Sequence, residues 1–189
     1  MGFDKTIHAS SKSVEHYTPA RVVDALRVFW PQGIDLDPCS PGPDISPIPA
    51  RLHYTRAEDG KAQAWRGRVF MNPPYGKSGP DRIDPWIEKV IAEYQARRVS
   101  EAILLVPART DTRWFDRLNA YPRCEVKGRL VFVGNTNGAG FPSAIFYLGA
   151  YNLRFAEVFA PFGRIVWDIR YTTWDCVGGA KLYAGDMAP

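Results

Sequence analysis

Arg68-Val69-Phe70-Met71-Asn72-Pro73-Pro74-Tyr75 is a short apolar run that ends at two consecutive prolines. Proline lacks the backbone N–H and fixes φ, so neither a helix nor a sheet ladder continues through the pair. A buried strand over residues 68–71 therefore gives way to a stiff, extended loop. That loop presents the amide of Asn72, the carbonyl of Pro73 and the flat ring of Tyr75 within a few residues of one another. An amide oxygen and a carbonyl can together accept both protons of an exocyclic amine, while an aromatic face stacks on the planar ring that carries it.

Working outward, the segment before this strand opens on Thr18, suited to an N-cap, and Pro19, suited to the first helical position. Val22, Val23, Leu26 and Phe29 then recur at helical spacing until Pro31. Residues 33–38 read as a strand ending in Asp37 and a turn, followed by a proline-rich connection over 39–50. Residues 51–55 form a second strand with a Glu58-Asp59-Gly60 turn beyond it. After the Pro-Pro loop, Asp84-Pro85 opens a helix with Trp86, Ile87, Val90, Ile91 and Tyr94 on one face, ending in Arg97 and Arg98, where cations suit the helix dipole.

Residues 102–106 are continuously apolar, as in a strand covered on both faces by helices. A short helix over 111–119 follows, then strands at 125–127, 130–133 and 144–148, with the glycine-rich loop 135–140 joining the last two as a hairpin. Residues 153–159 form the last helix, and 163–186 has β character. Strands alternating with helices predict an α/β, Rossmann-like, doubly wound sheet with an antiparallel hairpin at one edge. Such sheets bind ligands outside the carboxyl ends of their strands, where Asp37-Pro38 and Asn72-Pro73-Pro74-Tyr75 both fall.

The chain has 189 residues, 46% hydrophobic and 23% charged, which fits one globular domain over residues 14–189 with a core of ordinary size. The first thirteen residues, MGFDKTIHASSKS, lack the apolar stretch of a secretory signal and are expected to be frayed, with the chain remaining in the cytoplasm. No run has the length of a membrane span. Cys39, Cys124 and Cys176 lack metal-type spacing and read as reduced thiols, and His8, His16 and His53 give no metal set.

The net charge is +4, and most of the excess lies between residues 76 and 129, with 11 basic against 8 acidic side chains. Lys77, Arg109 and Arg113 make this basic stretch a candidate phosphate-contacting surface for a polyanion beside the Pro-Pro loop.

Three motifs in order now carry a resemblance: His16-Tyr17-Thr18-Pro19, Asp37-Pro38-Cys39-Ser40 and Asn72-Pro73-Pro74-Tyr75-Gly76. With Tyr54-Thr55, Asp59-Gly60, Trp65, Gly67, the stretch 102–115 and Phe141-Pro142-Ser143-Ala144, the chain resembles the phage-type Dam family of DNA adenine methyltransferases over residues 15–163. The resemblance implies transfer of a methyl group from S-adenosylmethionine to the exocyclic amine of adenine in DNA, inside a bacterial host if phage-encoded.

It further implies that Asn72, Pro73, Pro74 and Tyr75 are catalytic and that Tyr17, Thr18, Pro19, Asp37, Pro38 and Cys39 hold the cofactor. Glu58 and Asp59 fall where an acidic residue holds ribose hydroxyls in dinucleotide-type α/β sites. Phe141 would help Tyr75 stack a flipped base. The proline-rich 39–43 departs from the Gly-x-Gly loop of related cofactor sites. Competing readings are an RNA or protein-glutamine methyltransferase sharing the same tetrapeptide, and a catalytically silent nucleic-acid-binding domain of the same fold.

Overall fold

The computed structural model describes residues 17–76, 78–132 and 139–167, with the backbone of 172–175 and 179–182. The expected N-terminal frayed segment, Lys77 and most of the expected 135–140 hairpin loop lie outside the described residues. Strands β1 (Ile34–Asp37), β2 (Ala50–His53), β3 (Gly67–Met71), β4 (Val99–Pro107), β5 (Arg123–Val126), β6 (Ser143–Leu148) and β7 (Gly163–Val166) form one sheet. Its order is β2-β1-β3-β4-β6-β5-β7. Strands β8 (Thr172–Asp175) and β9 (Gly179–Leu182) pair separately.

The first four strands are mutually parallel in space, whereas β6 runs antiparallel to both β4 and β5, and β7 antiparallel to β5. The sheet is thus open, mixed and of the α/β class. Helices α1 (Ala20–Phe29), α2 (Asp84–Gln95), α3 (Arg113–Leu118) and α4 (Asn152–Phe159) cover it.

The two faces can be told apart from neighbouring residues of β6, whose side chains point in opposite directions. Tyr147 meets Phe29 of α1 and Phe155 of α4, with ring centroids 5.1 and 5.4 Å apart, while Phe146 meets Phe115 of α3 at 5.1 Å. Helices α1 and α4 therefore lie on one face and α3, packed with α2, on the other. Every residue of β6 is buried, as double coverage requires.

Two findings depart from the sequence reading. Residues 130–132 form no strand. Their alternation is strand-like, with Leu130 and Phe132 buried and Val131 53% exposed, but β5 already occupies the free edge of β6. The segment instead bends inward, closed by the Ala139 amide donating to the Leu130 carbonyl. Helix α1 also starts one residue later than Thr18 would set it, with Pro19 at the cap and no side-chain cap hydrogen bond.

Strand β1 is central to the site and is held on both sides. It pairs with β2 over three positions and with β3 at Leu36 and Val69. Asp35 reinforces the latter seam by accepting the Arg68 amide at 2.8 Å and pairing with its guanidinium at 3.1 Å. Gly67 makes room for this contact, since its φ is +73° and a Cβ there would stand 2.5 Å from the Asp35 carboxylate. The neighbours β2 and β3 leave β1 in opposite directions through the sheet order, so the carboxyl ends of β1 and β3 flank a switch point in which ligands bind.

Candidate active site

A cavity of about 420 Å³ opens at that switch point. Tyr17 and Thr18, Asp37 to Ser40, Asp59, and Asn72 to Pro74 all line it, so three motifs far apart in sequence meet in one place. Pro19 does not reach it. Its carbonyl accepts the Val22 and Val23 amides and starts α1.

Asp37 ends β1 and is only 4% exposed. The Cys39 amide and the Ser46 hydroxyl each donate to it at 3.2 Å. Burial pushes its pKa up to about 6, against the pull of the hydrogen bonds from the Cys39 amide and the Ser46 hydroxyl. Ser46 comes from the proline-rich connection, which thus acts as a strap over the carboxylate.

Behind Asp37, His53 Nε2 faces the Ala50 carbonyl at 3.0 Å and must be the protonated nitrogen, so in the neutral ring the Ser40 hydroxyl donates to Nδ1 at 2.8 Å. This buried pair fixes the loop that follows β1. Cys39 sits beside the carboxylate, where burial and the nearby Asp37 raise its thiol pKa well above the usual value and keep it neutral.

The acidic turn after β2 separates its two carboxylates. Glu58 accepts both the Thr55 amide and the Thr55 hydroxyl at 2.8 Å, which closes the turn and leaves it outside the cavity lining. Asp59, at φ +46°, lines the cavity and pairs with Lys61 at 2.8 Å. Lys61 in turn lies 4.4 Å from the centre of the Trp86 ring, a cation–π contact. Arg56 and Asp81, both on the lining, meet at 3.4 Å and link the β2 turn to the loop after the Pro-Pro motif.

Asn72 follows β3 directly. Its Nδ2 donates to Thr18 Oγ1 at 3.1 Å, and the Tyr75 hydroxyl donates to its Oδ1 at 2.5 Å. Tyr75 is 7% exposed, rather than offering an open aromatic plate. Its hydroxyl also faces the Leu105 carbonyl at 3.1 Å, and Phe141 and Phe132 pack edge-on against its ring at 5.4 and 6.3 Å. Burial raises the phenol's pKa well above 10, so it remains a neutral donor.

Tyr75 and Gly76 line a second cavity of about 410 Å³, together with Arg109, Arg113, Asp84, Asp111 and Trp114. Thr112 holds the approach to α3 by donating its hydroxyl to the Arg109 carbonyl at 2.8 Å. Arg82, Arg98, Arg117 and Arg123 are each paired with a carboxylate. Among the described residues, Arg109 and Arg113 enter no ion pair.

The sequence reading missed Ser46, Lys61, Trp86 and the Arg56–Asp81 pair. Trp86 was legible only as a core position of α2, and nothing local marks the others. Among the described residues, no group of three or more His, Cys, Asp or Glu side chains could hold a metal ion, and no helix is long and apolar enough to cross a membrane.

A family model described as DNA N-6-adenine-methyltransferase (Dam) matches residues 9–144, which include every strand of the parallel half and all three motifs. Comparison with curated proteins gives no match.

Proposed function

The chain belongs to the Dam family of DNA N-6-adenine-methyltransferases, and from that we propose that it uses S-adenosylmethionine to methylate the 6-amino group of adenine in DNA. We place the cofactor in the first cavity and the DNA on the side of the second. The observation that carries the reading is that Asp37 and Asn72 face one cavity from adjacent strand ends.

The first cavity fits the cofactor on chemical grounds. Its volume of about 420 Å³ suits a small-molecule site. Asp37 is a desolvated carboxylate whose charged form needs a cationic partner, and the methionine ammonium supplies one. Asp59 offers acceptors for ribose hydroxyls, in exchange for its solvent-exposed bond to Lys61. When bound, S-adenosylmethionine supplies an electrophilic methyl on a sulfonium.

The chain's own residues then have to present the amine. The Asn72 amide oxygen and the Pro73 carbonyl accept its two protons, which turns the nitrogen lone pair out of conjugation with the ring and toward the cofactor side of the cavity. No strong base is required, since the amine becomes acidic only as the new bond forms, and its proton leaves to solvent. Adenine must leave the duplex to reach Asn72, and the partly buried Phe141, packed edge-on against Tyr75, supplies apolar surface for it. Arg109 and Arg113, which enter no ion pair among the described residues, supply cations for the phosphates.

The test is incubation of the purified protein with methyl-labelled S-adenosylmethionine and DNA, followed by nucleoside mass spectrometry. Label in N6-methyladenine is expected. Label in cytosine, or only in RNA or protein, overturns the substrate. No label and no cofactor binding overturn the enzyme.

A further inference from the structure

We propose that Thr18 is a positioning residue for Asn72, holding its amide so that the oxygen, and not the NH2 group, faces the substrate amine. The inference deepens the catalytic reading above and rests on it.

A terminal amide has two nearly equivalent orientations about its last side-chain bond, because that torsion is broad and two-fold. In one orientation Asn72 meets an incoming amine with an acceptor. In the other it meets it with a second NH2, donor against donor. The backbone cannot choose between them, so neighbouring groups must.

Thr18 and Tyr75, on opposite ends of the amide, both favour the first orientation. Thr18 Oγ1 accepts from Nδ2 at 3.1 Å at one end of the amide, and the Tyr75 hydroxyl donates to Oδ1 at the other. The phenolic proton is shared with the Leu105 carbonyl at 3.1 Å, and the shorter contact, at 2.5 Å to Asn72, takes the larger share.

Thr18 is placed for this task by structure remote in sequence. It is 3% exposed, and it lies 54 residues from its partner. The hydroxyl does not cap α1, whose cap is Pro19 without a side-chain hydrogen bond. A threonine that reads as a helix cap in the sequence therefore spends its hydroxyl on the catalytic amide. A shape-conserving loss of that hydroxyl removes the acceptor that holds Nδ2 in place and permits the inverted orientation.

The test compares Thr18→Val and Thr18→Ser with wild type by two readouts. The first needs no turnover: the Asn72 side-chain 15N–H2 signals, assigned by their loss in Asn72→Asp, should exchange slowly with water in wild type and Thr18→Ser and faster in Thr18→Val. The second is kinetic: kcat at saturating cofactor and DNA should fall roughly 10- to 100-fold in Thr18→Val and recover in Thr18→Ser, with cofactor Kd from calorimetry changing far less than kcat.

A raised cofactor Kd with unchanged kcat would make Thr18 a cofactor contact and overturn the proposal. So would identical Asn72 exchange in wild type and Thr18→Val, or failure of serine to restore kcat. If Thr18→Val does not fold, Thr18→Ala replaces it, and fast Asn72 exchange in wild type alone is sufficient to refute. If wild type methylates nothing, the proposed function fails while the exchange measurement still decides the role of Thr18.

Discussion

The two cavities have nearly the same volume and opposite chemistry. The first gathers the ends of β1, β2 and β3 around a buried carboxylate, with prolines and aromatic rings for walls. The second lies where β4 meets the start of α3, between arginines and aspartates open to water. Asn72, Pro73 and Pro74 face the first, and Tyr75 and Gly76 the second, so one pentapeptide runs from one cavity to the other. Size therefore says little about which ligand each cavity suits. A desolvated anion selects a small cation, and uncommitted surface cations select a polyanion.

The largest effect is expected at Asn72. Asn72→Ala is expected to cut methyl transfer by about 10²- to 10³-fold, the scale for removing one preorganised polar contact to the reacting group, while cofactor Kd stays near wild type. Asp37→Ala should do the reverse, weakening cofactor binding by about 2–5 kcal/mol, as when one partner of a buried charge pair is truncated. Calorimetry with the cofactor and single-turnover kinetics on DNA separate the two. Equal loss of cofactor binding in both variants would contradict the division of roles between Asp37 and Asn72.

The raised pKa of Asp37 gives the first cavity a pH signature. A carboxyl titrating near 6 in the folded chain and near 3.8 when unfolded holds more protons in the folded state between those values. Its contribution to stability is therefore greatest below about pH 4 and is lost as pH rises toward 6, by about 3 kcal/mol at the limit. A bound ammonium reverses the preference and favours the carboxylate. Below pH 6 binding must then expel a proton, and affinity should fall by up to about tenfold per pH unit. Calorimetry in buffers of different ionisation enthalpy would show the released proton, and Asp37→Asn should abolish both effects.

How much of this was legible depended on whether the signal was local. The strand before Asn72, the helix after Thr18 and the α/β alternation follow from periodicity and proline positions, and the structure places β3, α1 and the parallel half accordingly. The expected strand at 130–133 does not form over its described residues 130–132, because pairing is a competition for one edge, and β5 won it. Tyr75 looked like an exposed plate because the tetrapeptide says nothing of Phe132, which reaches it from 57 residues further on. Ser46 and Lys61 carry no motif at all. They reach the site through a connection and a turn whose course only the folded chain determines.

Within the first cavity, the acidic turn offers a sharper division. Asp59→Ala should weaken cofactor binding about tenfold, less than a buried charged hydrogen bond would give because its carboxylate is half-exposed. Glu58→Ala should leave cofactor affinity unchanged and loosen only the turn that Thr55 closes on it. Competition binding with the cofactor and with a ribose-lacking fragment would locate the loss, since Asp59→Ala should not alter affinity for the fragment. The opposite pattern would move the ribose contact to Glu58.

The smallest expected effect tests the second cavity. If Arg109 and Arg113 each neutralise one phosphate, changing both to alanine should shallow the log–log salt dependence of duplex binding by about 1.8 units, at roughly 0.9 per contact. Between 50 and 200 mM salt that amounts to about a tenfold difference in how steeply affinity falls. Cofactor affinity should not respond, because neither side chain lines the first cavity. Wild type and variant must be titrated on one duplex, so that base contacts cancel. Lys77, outside the described residues, belongs in a separate variant. Matching slopes for the double variant would mean that Arg109 and Arg113 are solvated charges despite their lack of ion partners among the described residues. The DNA track would then run along Lys127 and Arg129, because Arg123 is already held by Glu125.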